Sequence, residues 1–247
     1  MNNFVEQLLS ERPKLHRLSE ESAEEIRGYT GYVLEPGPMD WGVPENVMRY
    51  LAENIRETDQ TIETGSGLTT VLMAGLAEHH TCITNDAISA ELIYGYMEGI
   101  GLPQSKLTMI VESSDFALPK LPSEQKFDFA FIDGGHGYPI PTLDRHYIDL
   151  HLRIGGQIGF DNTEIPAVHD HCAFLQRNGT YRLVESLTFP AWGNYGANFW
   201  VKLNDQSRGD LAQKDGQRRV TRHNFVDSMK TTIANVTGRR FGAWPWS

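Results

Sequence analysis

Four polar residues past the middle of the chain hold the most chemistry. Asp133 and the pair Asp161-Asn162 each follow a short apolar, β-prone run, and together they offer three hard oxygen donors from two strand ends. Such a set suits Mg²⁺, whose octahedron water or a substrate oxygen would complete. His136 stands three residues after Asp133 in the turn Asp-Gly-Gly-His. An imidazole with a near-neutral pKa can accept a hydroxyl proton at physiological pH. A plainer use of the same residues has His136 bonding the turn, Asp133 facing a cofactor and Asp161-Asn162 capping the next helix.

A second group lies upstream. The β-prone run 60–64 gives way to Gly65-Ser66-Gly67, and a helix-like segment over 68–78 follows at once. Strand, glycine turn and helix in that order cradle a ligand, because glycine lets the backbone come close and the helix N-terminus offers unpaired N–H groups. Thr70 stands where the dinucleotide fingerprint G-x-G-x-x-G needs its third glycine, and Glu63 just before the turn would repel a pyrophosphate. A carboxylate there suits a cationic ligand. S-adenosylmethionine, with a sulfonium and an ammonium, is such a ligand.

Glu63-Thr64-Gly65-Ser66-Gly67 resembles the E-x-G-x-G first motif of the class I S-adenosylmethionine-dependent methyltransferases, and the resemblance spans roughly residues 44–203. It implies that the turn Glu63, Thr64, Gly65, Ser66 and Gly67 wraps the methionine part of the cofactor. It also implies that Asp86, a position or two later than the family's acid, holds the ribose, that Ser114 and Asp115 flank the adenine, and that Asp133 adjoins the cofactor. Asp133 with Asp161-Asn162 is similar to the metal set of the catechol-type O-methyltransferases, and the Asp-Gly-x-His turn to relatives that methylate sugars and other natural products. In that setting the metal binds the acceptor hydroxyl, and His136 takes the place of a catalytic lysine.

These groups need a scaffold that gathers distant residues. Apolar β-prone runs at 60–64, 80–84, 107–111, 127–132 and 157–160 alternate with helical patterns at 44–57, 68–78, 89–100, 142–152 and 167–177. A last strand pair, 181–188 and 198–203, is joined by an aromatic loop. The alternation predicts an α/β fold, a Rossmann-like doubly wound sheet, mainly parallel, with an antiparallel strand at the C-terminal end. Ligands of such sheets sit beyond the carboxyl ends of the strands. Those ends here are Glu63 to Gly65, Asn85-Asp86, Glu112 to Asp115, Asp133 to His136 and Asp161-Asn162.

Three parts are expected: a helical cap and lid loop over 1–43, the methyltransferase domain over 44–204, and a basic extension over 205–247. The cap shows helical spacing over 2–28, with Phe4, Leu8, Leu15 and Leu18, then a loop rich in Gly, Pro and aromatics whose Met39 and Trp41 are candidates to line a pocket. The extension holds eight Lys/Arg against four Asp in a chain of net charge −10. Its segment 218–236 puts Val226, Met229, Ile233 and Val236 on one helical stripe before the aromatic end FGAWPW. Docking on the acidic body or on a second copy is expected, which makes a homo-oligomer a candidate assembly; an RNA-binding arm is the alternative.

The acidic balance argues against a nucleic-acid backbone as the main partner. The apolar runs are too short to span a bilayer, and the N-terminus has charges where a signal peptide needs its apolar core, so a cytoplasmic protein is expected. Cys82 and Cys172 lack zinc spacing and read as buried thiols. Tyr138, Trp192 and Tyr195, with Trp41, could wall an acceptor site. With no basic cluster at the strand ends, a small neutral hydroxylated acceptor fits best. A non-catalytic binding or partner protein on the same fold is the rival reading, and a nicotinamide oxidoreductase is disfavoured by Thr70 and Glu63.

Overall fold

The computed structural model describes residues 3–30, 33–40, 42–192 and 195–205. The N-terminal part holds helix α1 (Asn3–Glu11), strand β1 (His16–Leu18), helix α2 (Glu20–Thr30) and strand β2 (Gly37–Met39). The helical spacing expected over 2–28 is therefore broken in the middle. Pro13 cannot donate to a helix and disfavours helical backbone before it, and Arg12 takes a positive φ of 37°. The chain then runs into β1, which pairs antiparallel with β2 out of the expected loop. The extension from 206 onward, with its expected helix and aromatic end, lies outside the described residues.

The remaining elements alternate as expected. They are α3 (Glu45–Asn54), β3 (Gln60–Thr64), α4 (Leu68–Leu76), β4 (His79–Thr84), α5 (Ala87–Gly99), β5 (Leu107–Val111), α6 (Ser114–Ala117), β6 (Phe127–Ile132), α7 (Ile140–His151), β7 (Leu152–Phe160), α8 (Pro166–Asn178), β8 (Tyr181–Phe189) and β9 (Tyr195–Lys202). They build a seven-stranded sheet in the order β5-β4-β3-β6-β7-β9-β8. The pairs β3–β4, β3–β6, β4–β5 and β6–β7 are parallel, and β9 runs antiparallel to both its neighbours. The single reversed strand thus sits one place in from the edge. The expected strand 157–160 starts earlier, at Leu152, because Gly155 at φ 84° lets the ladder absorb an irregularity instead of turning.

Alternation along the strands supplies both faces of the core. In β6, Phe129 and Phe131 pack with Val47, Leu51, Leu72 and Ile93 from α3, α4 and α5. Ala130 and Ile132 pack on the other side with Ile148, Val168 and Leu175 from α7 and α8. α4 is apolar all round, and Leu68 through Ala74 are buried, as suits a helix under a second helical layer. The strand order reverses between β3 and β6, whose parallel carboxyl ends share one rim, and the segments that leave them frame a crevice.

Candidate functional site

The crevice holds a cavity of about 760 Å³ at the strand ends. One wall begins at β3. Gly65 adopts φ 86°, and a Cβ there would lie 2.1 Å from the Asp133 carbonyl oxygen. Asp133 N–H donates to the Thr64 carbonyl at 2.9 Å, and Gly65 N–H to the Ile83 carbonyl at 2.9 Å. Only glycine allows the turn to lie this close to β6. Ser66 Oγ donates toward Thr84 Oγ1 at 3.0 Å and Ser89 Oγ at 3.2 Å, tying the turn to β4 and α5.

Glu63 does something other than face a ligand. It is fully buried, lies outside the cavity lining, and accepts from the Thr70 hydroxyl, which itself accepts from Gly67 N–H at 2.9 Å. Its Oε1 is 3.2 Å from His80 Nε2, and His80 Nδ1 meets Thr61 Oγ1 at 2.9 Å. The carboxylate thus braces the turn from behind. Thr70, at the place of the missing third glycine, is the residue that connects the two.

Thr64, Gly65, Ser66, Asp86, Ser114 and Asp133 line the cavity, while Gly67 and Asp115 do not. Asp86 is the N-cap of α5, its Oδ1 accepting from the N–H of Ile88 and of Ser89, both at 3.0 Å. Asp115 accepts from Ser113 Oγ at 2.5 Å, within its own turn. Cys82, a buried thiol as expected, donates to the Gly65 carbonyl at 3.2 Å, and burial pushes its pKa up.

Beside the glycine turn lie the residues of the β6 and β7 ends. Asp133, His136 and Asp161 each bring one donor atom within 4.8 Å of the others. His136 Nε2 is 4.0 Å from Asp133 Oδ1. Asn162 lines the same cavity, at φ 50°, with its amide donating to Glu164 Oε1 at 2.8 Å. Burial raises the pKa of Asp133 well above the carboxylate range, and the charge of Asp161 adds to it. Burial likewise pushes Asp161 up to about 6, against the lowering effect of hydrogen bonds from Asp133 and Tyr195. Burial lowers His136, which keeps the imidazole neutral at pH 7.

Tyr195, expected only as an aromatic wall, has a more specific place. Its hydroxyl donates to Asp161 Oδ1, and the ring is buried at the start of β9. Burial and the charge of Asp161 raise its own pKa. The approach is fixed by backbone: Thr163 N–H donates to the Gly196 carbonyl at 2.8 Å, and Gly196 N–H to Glu164 Oε2 at 3.0 Å. Tyr138 is 84% exposed and does not line the cavity. Trp41 and the side chain of Trp192 lie outside what is described, and Met39 is absent from the lining. His171 is buried, its Nδ1 3.2 Å from Thr142 Oγ1, and burial beside Arg145 pushes its pKa down to about 4. His169 is exposed.

His16, Asp40, Gly42 and Val43 also line the cavity, all from the N-terminal part. No local pattern marked them, because their placement depends on the β1–β2 pairing. Among the described residues, no helix is long and apolar enough to cross a membrane.

Residues 62–163 match a family model described as a methyltransferase domain. No curated protein matches the sequence. Similar solved structures include the O-methyltransferase TomG of Streptomyces achromogenes, in complex with S-adenosylmethionine, at TM-score 0.58 and 17% identity over 82% of this chain and 97% of that one. An rRNA methylase of Streptococcus thermophilus aligns at TM-score 0.54 and 16% identity, covering 66% and 99%. A precorrin 8w decarboxylase of Methanobacterium thermoautotrophicum aligns at 0.50 and 20%, covering 68% and 93%. Such spread in named activities shows a shared fold, with function left to the site. Together with the strand order and the glycine turn packed against Asp133, the match identifies residues 62–163 as a methyltransferase domain, on a fold shared with these solved structures.

Proposed function

We propose that the protein transfers the methyl group of S-adenosylmethionine to a hydroxyl of a small molecule, assisted by Mg²⁺ held at Asp133, Asp161 and Asn162, with His136 as the general base. The observation that carries the reading is the meeting of Asp133, His136 and Asp161 within 4.8 Å, in the same cavity as the glycine turn. The donor chemistry fits a hard divalent ion. Burial disfavours ionisation of both Asp161 and the part-buried Asp133, the charge of Asp161 adds to this at Asp133, and a cation between the two would offset that cost. When bound, Mg²⁺ lowers the pKa of an acceptor hydroxyl beside it.

The chain's own residues supply the rest. Thr64, Gly65, Ser66, Asp86, Ser114 and Asp133 hold the donor, with Glu63, Gly67 and Asp115 supporting the turns that present them. His136, whose part-buried site disfavours the charged imidazolium, takes the hydroxyl proton at a ring nitrogen. Methyl transfer is a displacement at carbon, so alignment and exclusion of water do most of the remaining work. A net charge of −10 favours a small neutral acceptor over RNA, although one structural neighbour is an rRNA methylase.

The test is direct. The protein, S-adenosylmethionine and a panel of hydroxylated small molecules are incubated with Mg²⁺ and with excess chelator, and mass spectrometry reads the gain of one methyl group. Transfer that stops in chelator is expected. Full transfer in chelator would remove the metal from the scheme, and a folded protein that does not bind S-adenosylhomocysteine in calorimetry would overturn the whole reading.

A further inference from the structure

The cavity has an outer wall built from the N-terminal part. In the β1–β2 ladder His16 stands opposite Met39, and the chain that follows β2 adds Asp40, Gly42 and Val43 to the lining. An ion pair pins this wall. Arg12 Nε donates to Asp40 Oδ2 at 2.6 Å, and Asp40 Oδ1 accepts from Gly42 N–H at 2.7 Å. The Arg12 terminal nitrogens reach the carbonyls of Gly42 and Val43, at 3.4 Å and 3.3 Å.

From this wall His16 reaches into the cofactor side of the crevice. Its side chain is 12% exposed. One edge covers the glycine turn, where a Cβ on Gly67 would come within 2.9 Å of His16 Nε2. The other edge points Nδ1 at Ser89 Oγ, 3.3 Å away, and at Asp86 Oδ2, 3.9 Å away. The Ser89 hydroxyl donates to the Leu15 carbonyl at 2.7 Å, so its oxygen can accept from an Nδ1–H of His16. Asp86 Oδ1 is committed to capping α5, which leaves Oδ2 for another donor.

The gap of 3.9 Å between Nδ1 and Oδ2 is too long for a direct hydrogen bond. A hydroxyl oxygen seated beside the gap would lie within hydrogen-bond reach of both, donating to Oδ2 and sharing Nδ1–H with Ser89 Oγ. We propose that His16 is a cofactor-binding residue, and that it shares a ribose hydroxyl of S-adenosylmethionine with Asp86. The carboxylate makes the pair selective for a neutral diol, because a phosphorylated ribose would meet like charge. The N-terminal ladder is then part of the binding site instead of a cover over it. This inference rests on the cavity being the S-adenosylmethionine site.

Calorimetry on the full chain, with S-adenosylhomocysteine and with its 2′,3′-dideoxyribose analogue, tests it. His16→Ala is expected to weaken S-adenosylhomocysteine about tenfold, as loss of one hydrogen bond does. His16→Asn, whose amide can stand near the Nδ1 position, should recover most of that loss. Against the dideoxy analogue the wild type and His16→Ala should bind alike, a result that a merely structural role would not produce. Equal S-adenosylhomocysteine affinity in wild type and His16→Ala would overturn the proposal while leaving the cofactor reading intact. No binding by the folded wild type would instead overturn the cofactor reading. If His16→Ala does not fold, hydrogen exchange on the wild type decides: the ligand should slow exchange at residues 14–18, and unchanged exchange there would refute the contact.

Discussion

Replacing Gly65 by alanine probes the contact on which the site depends, where the glycine turn after β3 lies against the end of β6. Two costs follow from the geometry. At φ 86° an L-residue sits in left-handed backbone, worth roughly 1–2 kcal/mol. The new methyl would also lie 2.1 Å from the Asp133 carbonyl oxygen and 2.6 Å from its carbon, against ordinary contacts of about 3.5 Å. The obstacle is backbone held by the Asp133 to Thr64 hydrogen bond, so relief means parting two strand ends by about 1 Å, an overpacking cost of ~1–3 kcal/mol. The sum, ~2–5 kcal/mol, should lower Tm by roughly 5–20 °C in a domain of this size. Because the shift moves Asp133 itself, affinity for S-adenosylhomocysteine should fall as well. Thermal melts and calorimetry read both. Gly95→Ala is the control: Gly95 lies inside α5 with nothing near its Cβ position, and alanine should stabilise there by ~0.5–1 kcal/mol. A Gly65→Ala protein with wild-type Tm and affinity would refute the close approach of turn and strand.

The paired acids predict a pH dependence. The folded pKa of Asp161, about 6, lies above the ordinary 3.8, so the folded state holds this proton more tightly; the stability it adds is full below 3.8 and lost as pH rises through about 6. Asp133, also raised, acts in the same direction. Tm should therefore fall between pH 4 and 7, Asp161→Asn should flatten the slope, and Mg²⁺ should raise Tm at pH 8 but not at pH 5. A Tm at pH 8 indifferent to Mg²⁺ would count against a metal at these acids. Tyr195→Phe leaves a buried Asp161 oxygen without its donor and should cost ~1–3 kcal/mol in urea unfolding, and an unchanged midpoint would mean the bond contributes nothing. His136→Ala should cut turnover by about 10²–10⁴-fold with S-adenosylhomocysteine affinity retained, whereas equal losses in both would assign His136 a structural role.

The pattern of strands and helices along the chain already carries the class of fold and the place where the chemistry gathers. Strand-then-helix alternation fixes a parallel sheet, such a sheet brings every strand end to one rim, and polar residues at those ends are then candidates without any knowledge of their contacts. Gly65 was legible for the same reason, since a glycine between a strand and a helix implies a backbone that a side chain would obstruct. The tertiary structure decided what each polar group faces. Glu63 looked like a ligand contact, yet alternation along β3 turns it inward, where it accepts from the Thr70 hydroxyl and lies 3.2 Å from His80 Nε2. Tyr195 and His16 reach the site from segments 34 residues after Asp161 and 70 before Asp86 in sequence, through β9 pairing beside β7 and through the β1–β2 ladder. Local patterns encode which way one element's residues point. They do not encode which distant strand comes to lie beside it, because that choice is made by packing across the whole sheet.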